Sequence, residues 1–386
     1  MTRLVLAFVA GLAVAPDLGG QATPSRGLVE LQALVQADSN DPAAHFDLAN
    51  ALFKAKRYPD AEQSLRTAVM IDPQYAPALK LLAEVNELQH NAPLAIVFSG
   101  RRILFMRLDP NASENAFLRR RAFLIDPLLE IGPPDRNMLP AAWRGTLGLG
   151  LYHYDRQHWG EAATQFQAVI DKTTKPNDST KVPPVALWFR ARCALKVGDY
   201  DGAIRRLQWL LSLRLQDSTE QRMWNPFAGE ELRYILAYVY QQAGRWDEAV
   251  LRYQAVIEQD LGLDAAHTHM AEIYEAQARW PEAVEERVRA IHANPDGASV
   301  VFNLGSTLTA AGRYAEAEPV LERYAAGYPR EARTFYLLGV TRAALGKPAG
   351  ARDAFTQFLA LAPHRYEDRI ADAKHRLTTL PSEAPK

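Results

Sequence analysis

Small, apolar and proline residues recur along this chain with a period of 34 residues, most regularly from Glu230 to Arg365. Four copies begin at Glu230, Asp264, Ala298 and Ala332. Position eight of each copy is small, position twenty is alanine, and position twenty-four is large and apolar in three of the four. These residues are Ala237, Ala271, Gly305 and Gly339, then Ala249, Ala283, Ala317 and Ala351, and then Tyr253, Arg287, Leu321 and Phe355. Such a period predicts a stack of similar supersecondary units.

The spacing of these positions predicts two antiparallel helices in each copy. Two helices approach closely only where the side chains at their crossing point are small, and positions eight and twenty meet that condition. Proline at position thirty-two, present as Pro295, Pro329 and Pro363, cannot continue a helix and ends the second one. A single pair cannot bury its apolar face, so the pairs are expected to stack on one another.

The pattern resembles the tetratricopeptide repeat. The resemblance implies an all-α fold, a right-handed superhelical α-solenoid of about eight helix-turn-helix repeats with terminal capping helices. A clear copy begins at Pro42, a degenerate one at Ala76, and two further copies at Trp143 and Pro184. Position seventeen is aromatic in six copies, where large rings are expected to pack at the turn between helices. These aromatic residues are Tyr58, Trp159, Tyr200, Trp246, Trp280 and Tyr314.

The repeats and the stretches between them divide the chain into successive segments. We predict a signal peptide (1–22), a linker with an N-terminal capping helix (23–41), repeats 1–2 (42–110), an irregular helical connector (111–142), repeats 3–4 (143–217) with a loop insertion (177–183), an inserted loop (218–229), repeats 5–8 (230–365), and a C-terminal capping helix with a disordered tail (366–386). The connector contains Gly132-Pro133-Pro134-Asp135, which is typical of a turn and marks either a kink or a binding element.

The first 22 residues have the pattern of a secretory signal peptide. Arg3 supplies a positive charge, residues 4–15 form an apolar run, and Gly20-Gln21-Ala22 is a small-x-small cleavage site. A membrane anchor is the alternative, but this run is shorter than the roughly 20 residues that span a bilayer. We therefore expect a periplasmic or extracellular mature protein, of a bacterium, with no stable membrane anchor.

Charge and cysteine content narrow the classes of partner. The chain has 44 basic and 45 acidic residues and a net charge of −1, so it lacks the electrostatic footprint of a nucleic-acid-binding protein. The basic cluster at Arg119, Arg120 and Arg121 is interpreted either as a patch for an acidic partner or a lipid headgroup, or as a solvated helix face. Cys193 is the single cysteine, so an intrachain disulfide is excluded.

The motifs of the common catalytic and cofactor sites are absent from the sequence. The chain has no G-x-S-x-G, no H-E-x-x-H and no phosphate-binding glycine loop. His267 and His269 lie two residues apart on a predicted helix, so they point to nearly opposite sides and cannot chelate one ion. His153 and His158 have no evident third ligand. We therefore expect no catalytic, cofactor or metal site.

The resemblance implies a partner-binding groove. In the family, positions two, five, nine and twelve of each repeat line the concave surface of the superhelix. Between the Pro184 and Ala332 copies these positions select Trp188, Arg192, Tyr234, Tyr238, Gln241, Glu272, Glu275, Phe302, Ser306, Arg333 and Tyr336. Five of these are aromatic, which favours a binding platform. The alternative is that some of the rings pack against neighbouring repeats.

The implied partner is another protein, and the implied function is a non-catalytic interaction scaffold. The family's clamp for a C-terminal carboxylate needs lysine and asparagine at paired groove positions, whereas Arg333 is the only basic lining residue of the regular array. An internal or apolar segment is therefore expected. The alternative is a repeat-bearing envelope enzyme or an accessory subunit of one. Such relatives carry a catalytic domain after the helices, and the residues after Arg365 are too few for the roughly 50 that a domain needs.

Cleavage after Ala22 predicts that the mature protein begins at Thr23. Expression of the whole chain in a bacterium, fractionation of the cells and N-terminal sequencing of the recovered protein measure this directly. Protein found only in the cytoplasm and still beginning at Met1 would contradict the prediction of export.

Overall fold

A computed structural model describes residues 27–89, 118, 121–128, 145–174, 182–214, 229–258, 263–295 and 297–381. The predicted signal peptide, most of the connector, both loop insertions except their last residues, and the predicted disordered tail lie outside the described residues. So do Arg119 and Arg120 of the basic cluster and the residues predicted for the second helix of repeat 2.

Within the described ranges the regular secondary structure is helical throughout, which confirms the all-α fold. The helices are α1 (Leu28–Ala37), α2 (Pro42–Lys54), α3 (Tyr58–Ile71), α4 (Ala76–Gln89), α5 (Thr146–Asp155), α6 (Trp159–Thr173), α7 (Pro184–Lys196), α8 (Tyr200–Arg214), α9 (Gly229–Gln242), α10 (Trp246–Ile257), α11 (Asp264–Ala276), α12 (Trp280–Ala293), α13 (Ala298–Ala310), α14 (Tyr314–Gly327), α15 (Ala332–Ala344), α16 (Pro348–Leu361) and α17 (Glu367–Thr379). No described helix has the length and apolar character needed to cross a bilayer.

The described helices form two compact units. Unit 1 contains α1–α4, a helical stretch at 121–125 and α11–α17, and unit 2 contains α5–α10. In both units the two helices of a repeat pack together, as in α2 with α3, α7 with α8 and α15 with α16. Successive repeats also stack, as in α6 with α7 and α14 with α15. The predicted capping helices correspond to α1, which packs on α2, and α17, which packs on α16.

The close approach within a repeat is set by positions eight and twenty-four. A Cβ atom added to Gly339 would lie 2.6 Å from the ring of Phe355, and one added to Gly305 would lie 2.6 Å from Leu321. Phe355 and Leu321 are fully buried. Glycine is therefore required at these positions because the large side chain of the second helix occupies the space of a Cβ atom.

In each of the seven helix pairs that the structure describes, the turn contains one residue with left-handed backbone geometry, at position fifteen. This residue is glycine in four repeats, Gly198, Gly244, Gly312 and Gly346, and lysine, glutamine or alanine in three, Lys56, Gln157 and Ala278. Their φ angles lie between 57° and 77°. Glycine adopts this geometry without steric cost, whereas a residue with a Cβ atom is strained there. The position therefore sets the direction in which α12, for example, follows α11.

Arg287 stands at position twenty-four, where the other three regular copies have an apolar residue, and it is buried. Its guanidinium donates to Oε1 of Glu275 on α11 from Nε at 3.1 Å and Nη2 at 2.9 Å. Nε also lies 3.1 Å from Oγ1 of Thr307 on α13, and Nη1 donates to the carbonyl of Thr268 at 3.3 Å. One side chain on α12 therefore joins its own repeat to the next through a buried, hydrogen-bonded ion pair.

Substitution of Gly339 by alanine should lower the free energy of unfolding by about 1 to 3 kcal/mol, because the added Cβ overlaps the buried ring of Phe355. Gly327→Ala is the matched control, since a Cβ there meets nothing within 4 Å and alanine favours a helix. Thermal unfolding followed by circular dichroism measures both. Equal melting midpoints for the two variants would contradict the packing described for positions eight and twenty-four.

Substitution of Arg287 by leucine should lower the free energy of unfolding by about 3 kcal/mol, because it leaves Glu275 without its cation. This value is at the low end for a broken buried ion pair, since the Glu275 side chain is 18% exposed and water can partly solvate it. The double variant R287L/E275L should recover most of the loss, since it leaves no unpaired charge. Arg279→Leu is the control, because the Arg279–Glu282 pair is solvent-exposed and such pairs contribute about 0 to 1 kcal/mol. A loss that persists undiminished in the double variant would contradict this interpretation.

Candidate functional site

The eleven predicted groove residues all lie on the first helices of their repeats. Trp188 and Arg192 lie on α7, and Tyr234, Tyr238 and Gln241 on α9, in unit 2. Glu272 and Glu275 lie on α11, Phe302 and Ser306 on α13, and Arg333 and Tyr336 on α15, in unit 1. A spacing of three or four residues places the members on one helix along the same face. Their assignment as partner contacts stays a prediction.

Burial divides the eleven residues into two groups. Six are buried in the chain: Trp188, Arg192, Tyr234, Phe302, Ser306 and Tyr336. Five are half-buried: Tyr238, Gln241, Glu272, Glu275 and Arg333. Four of the five aromatic residues therefore belong to the buried group. Tyr238 is the fifth, and it keeps accessible surface.

In unit 2 the buried members are held by hydrogen bonds and ring contacts. Arg192 donates from Nε to Oη of Tyr154 at 2.8 Å and from Nη2 to the carbonyl of Leu128 at 3.0 Å. Its guanidinium lies 5.5 Å from the Trp188 ring centroid. A buried arginine with several hydrogen-bond acceptors fixes the positions of the side chains around it.

The α9–α10 repeat joins its two helices through tyrosines. The rings of Tyr234 and Tyr253 meet edge to face with centroids 5.8 Å apart, and Tyr253 Oη donates to Oε1 of Gln241 at 2.8 Å. Truncation of Tyr234 would therefore remove core packing, whereas Tyr238 on the same helix is half-buried. Tyr238 is the better residue for a test of binding.

In unit 1 Arg333 is the centre of a group of charged and aromatic side chains. Its guanidinium carbon lies 4.9 Å from the ring centroid of Phe302. Nε donates to Oε1 of Glu331 at 2.8 Å, and Nη2 donates to Oδ1 of Asp72 at 3.0 Å. Burial opposes the charge on Arg333, but Glu331 and Asp72 outweigh it, so the pKa of Arg333 lies well above its usual value.

The remaining aromatic residues of unit 1 also contact the chain. Tyr336 donates from Oη to Oδ2 of Asp372 on α17 at 2.7 Å. Burial raises the pKa of Tyr336, and this hydrogen bond raises it further, so the hydroxyl keeps its proton. The ring of Phe302 lies 5.3 Å from that of Tyr324 on α14. Sequence reasoning missed Asp72, Glu331 and Asp372 as neighbours, since none of them occupies a groove position.

The histidine pair of α11 has separate partners. His267 Nδ1 lies 2.7 Å from Oε2 of Glu286, and His269 Nδ1 lies 2.8 Å from Oε2 of Glu272. The two rings therefore point to different neighbours, as their spacing of two residues predicts. Across the described ranges, no three histidine, cysteine or acidic side chains are arranged to hold a metal ion.

Cys193 is a buried packing residue of α7. Its side chain is 1% exposed, and burial raises the pKa of its thiol to about 11. A nucleophilic cysteine needs a thiolate near neutral pH and access to substrate. The thiol of Cys193 has neither property.

Comparisons with known proteins agree with the helix-pair geometry. Three family profiles described as tetratricopeptide repeat match residues 22–85, residues 147–208, 268–332 and 302–366, and residues 232–264. Together they cover more than half of the chain. No curated protein sequence matches it.

Three solved structures illustrate the likeness. The C-terminal part of a TPR repeat-containing protein from Cytophaga hutchinsonii has 16% sequence identity and a TM-score of 0.47, over 59% of this chain and 85% of that one. PilW, a type IV pilus biogenesis factor, has 15% identity and a TM-score of 0.43, over 61% and 100%. MamA from Desulfovibrio magneticus has 18% identity and a TM-score of 0.34, over 39% and 92%. Likenesses at this level carry no inference about function.

The family profiles find tetratricopeptide repeats in both units. The structure has the helix pairs that such repeats require, with a small residue at position eight. The chain belongs to the tetratricopeptide repeat superfamily, whose repeats are scaffolds for protein–protein interaction.

Proposed function

We propose that this protein is a non-catalytic scaffold that binds a segment of a partner protein along the first helices of its repeats, outside the cytoplasm. The observation that carries the proposal is the accessible part of the predicted groove. Tyr238 and Gln241 in unit 2 lie on a first helix and keep part of their surface open to solvent, and so do Glu272 and Arg333 on first helices of unit 1. Tyrosine and arginine are enriched among the residues that dominate binding at protein interfaces.

The electrostatics of the predicted positions support a role in binding rather than in catalysis. Arg192, Glu272, Glu275 and Arg333 each make a hydrogen bond or ion pair within the chain. The pKa values of Arg333 and Tyr336 are shifted by burial and by acidic partners within the chain, as in structural ion-pair networks. Paired charges on helices provide a fixed pattern that another protein can recognise.

The same pairing indicates the kind of segment that binds. A free C-terminal carboxylate needs several uncompensated cations, whereas Glu331 and Asp72 already neutralise Arg333. The half-buried surface around Tyr238 offers an aromatic ring with a polar tip, which suits an extended segment with apolar side chains. An internal or apolar segment of the partner therefore fits better than an acidic tail.

The location outside the cytoplasm is proposed from the N-terminal sequence, which lies outside the described residues. Its charged start, apolar run and small-x-small site are the features of a cleaved secretory signal. The partner is accordingly expected among envelope or secreted proteins.

Site-specific photocross-linking of the full chain in its own cell tests the proposal. With p-benzoylphenylalanine in place of Tyr238 we expect a cross-link to a partner protein, because the new side chain keeps an aromatic ring at the predicted contact. Leu251 on α10 is the matched control, since it is 66% exposed on the second helix of the same repeat. Once the partner is identified, Tyr238→Ala should weaken its binding by about 2 kcal/mol.

Two outcomes would contradict the proposal. The first is that positions 238 and 251 give the same set of cross-linked adducts, since partner proteins would then show no preference for the first helix over the second. The second is an unchanged affinity in a Tyr238→Ala variant whose melting midpoint equals that of the parent.

A further inference from the structure

Unit 1 brings together two parts of the chain that are far apart in sequence. The N-terminal block, residues 27–89, contains α1–α4, and the C-terminal block, residues 263–381, contains α11–α17. Unit 2 takes most of the residues that connect them. A linear stack of repeats does not predict this, because each repeat is expected to contact only its neighbours.

The two blocks meet at a charged seam. On the N-terminal block its polar residues are Asp38, Ser39, Asn40, Asp41, Asp72 and Gln74, and on the C-terminal block they are Asn303, Arg330, Arg333, His364 and Arg365. Arg333 Nη2 lies 3.0 Å from Asp72 Oδ1, and Arg365 Nη1 lies 3.0 Å from Asp41 Oδ1. Arg330 Nη2 donates to Asn40 Oδ1 at 3.0 Å, and the His364 backbone N–H donates to Asp38 Oδ2 at 2.8 Å.

The seam is built from loops and charged side chains. Among the described helices, every extensive helix–helix contact of unit 1 joins two members of the same block. The arginine side chains of the two ion pairs are 20% exposed at Arg333 and 40% exposed at Arg365. The Arg365–Asp41 pair, with side chains 40% and 20% exposed, contributes little and is screened by ions, whereas the Arg333–Asp72 pair, at 20% and 18%, is largely buried and leaves an unpaired charge when it is broken. Because the two blocks share no extensive helix contact, separation at the seam would not disturb the packing inside either block.

The loops that enter the seam share a short sequence. Both carry Asp-Pro, as Asp41-Pro42 and Asp72-Pro73. The carboxylates pair with arginines, while Pro42 and Ile71 line a small cleft with Ala332, Pro363 and Tyr366 of the C-terminal block. The C-terminal block thus presents arginines beside an apolar cleft, and an Asp-Pro loop with an adjacent apolar residue is complementary to that surface.

We propose that the charged seam is a reversible clasp, in which the N-terminal block occupies a docking surface that also receives an internal Asp-Pro segment of the partner. The surface includes Arg333, which is one of the predicted groove residues, so the clasp covers part of the face assigned to partner binding. The identity of the ligand rests on the proposed function, whereas the clasp itself does not. A partner segment gains the surface by replacing Asp72 and Asp41 on the two arginines.

The first experiment measures opening of the clasp by amide hydrogen exchange in the full chain. The reporter is the backbone amide of His364, which donates across the seam to Oδ2 of Asp38 at 2.8 Å. Arg333→Glu replaces attraction to Asp72 by repulsion, and exchange of this amide should accelerate at least about fivefold. Raising the salt concentration from about 0.05 M to 1 M should accelerate the same amide in the parent protein.

Arg342→Glu is the matched control for this measurement. Arg342 lies on the same helix and is 22% exposed, close to the 20% of Arg333, but it pairs with Glu318 and Glu322 inside the C-terminal block. Its substitution should leave exchange of the His364 amide unchanged. The D72R/R333E double variant should restore the protection of that amide, because the arginine introduced in place of Asp72 then faces Glu331 and the glutamate introduced in place of Arg333.

The second experiment tests the docking surface with a synthetic peptide of residues 68–79, which contains Ile71-Asp72-Pro73. The D41N/D72N variant removes the competing carboxylates, and asparagine keeps the side-chain hydrogen bonds that Asp41 and Asp72 make to nearby backbone amides. The peptide should bind this variant at least about tenfold more tightly than the parent, in which the tethered loop competes at high effective concentration. The same peptide with Asp72→Asn should not bind.

The outcomes separate the parts of the proposal. Unchanged amide exchange in Arg333→Glu would overturn the clasp. Accelerated exchange without tighter peptide binding to D41N/D72N would overturn the docking surface. Both experiments use only this chain and a peptide from it, so a failure to cross-link a partner at Tyr238 affects the proposed function alone.

Discussion

The close contact between position eight of the first helix and position twenty-four of the second is the constraint on which each repeat depends. Position eight is alanine or glycine in every described helix pair, and position twenty-four is at most 4% exposed in all of them. Because one side of the contact has almost no side chain, the other can be large: Phe166 and Phe355 are each fully buried beside Gly150 and Gly339. Stacking then follows, since the outer faces of such pairs remain apolar.

The sequence predicted the repeated architecture because this constraint acts at fixed spacing. Small residues, alanines and closing prolines recur in phase, and the helices of the regular array begin within a residue of the predicted starts. The left-handed residue at position fifteen was also present as a signal, in Gly198, Gly244, Gly312 and Gly346, but it becomes clear only when the φ angles are compared. Periodic features are thus readable from one sequence because each copy repeats the same physical requirement.

The candidate site was less predictable, since burial and long-range pairing leave no periodic trace. Tyr234, Phe302 and Tyr336 were selected by position, but whether a ring at such a position faces solvent depends on what packs over it. Arg333 lies 261 residues from Asp72, and no local pattern relates the two. Arg287 shows the same limit, because its place in an apolar position is explained only by Glu275 and Thr307 on neighbouring helices.

The division of the chain between the two units has a consequence for the order of folding. All of α5–α10 is contiguous in sequence, whereas unit 1 needs residues from both ends of the described chain. Contacts between distant residues form slowly, because the entropy of closing the loop must be overcome before any contact stabilises it. Unit 2 can therefore form as soon as its residues have been synthesised. The seam loops of the N-terminal block have no partner until the C-terminal block is made, so they are exposed to chaperones and proteases for longest during synthesis.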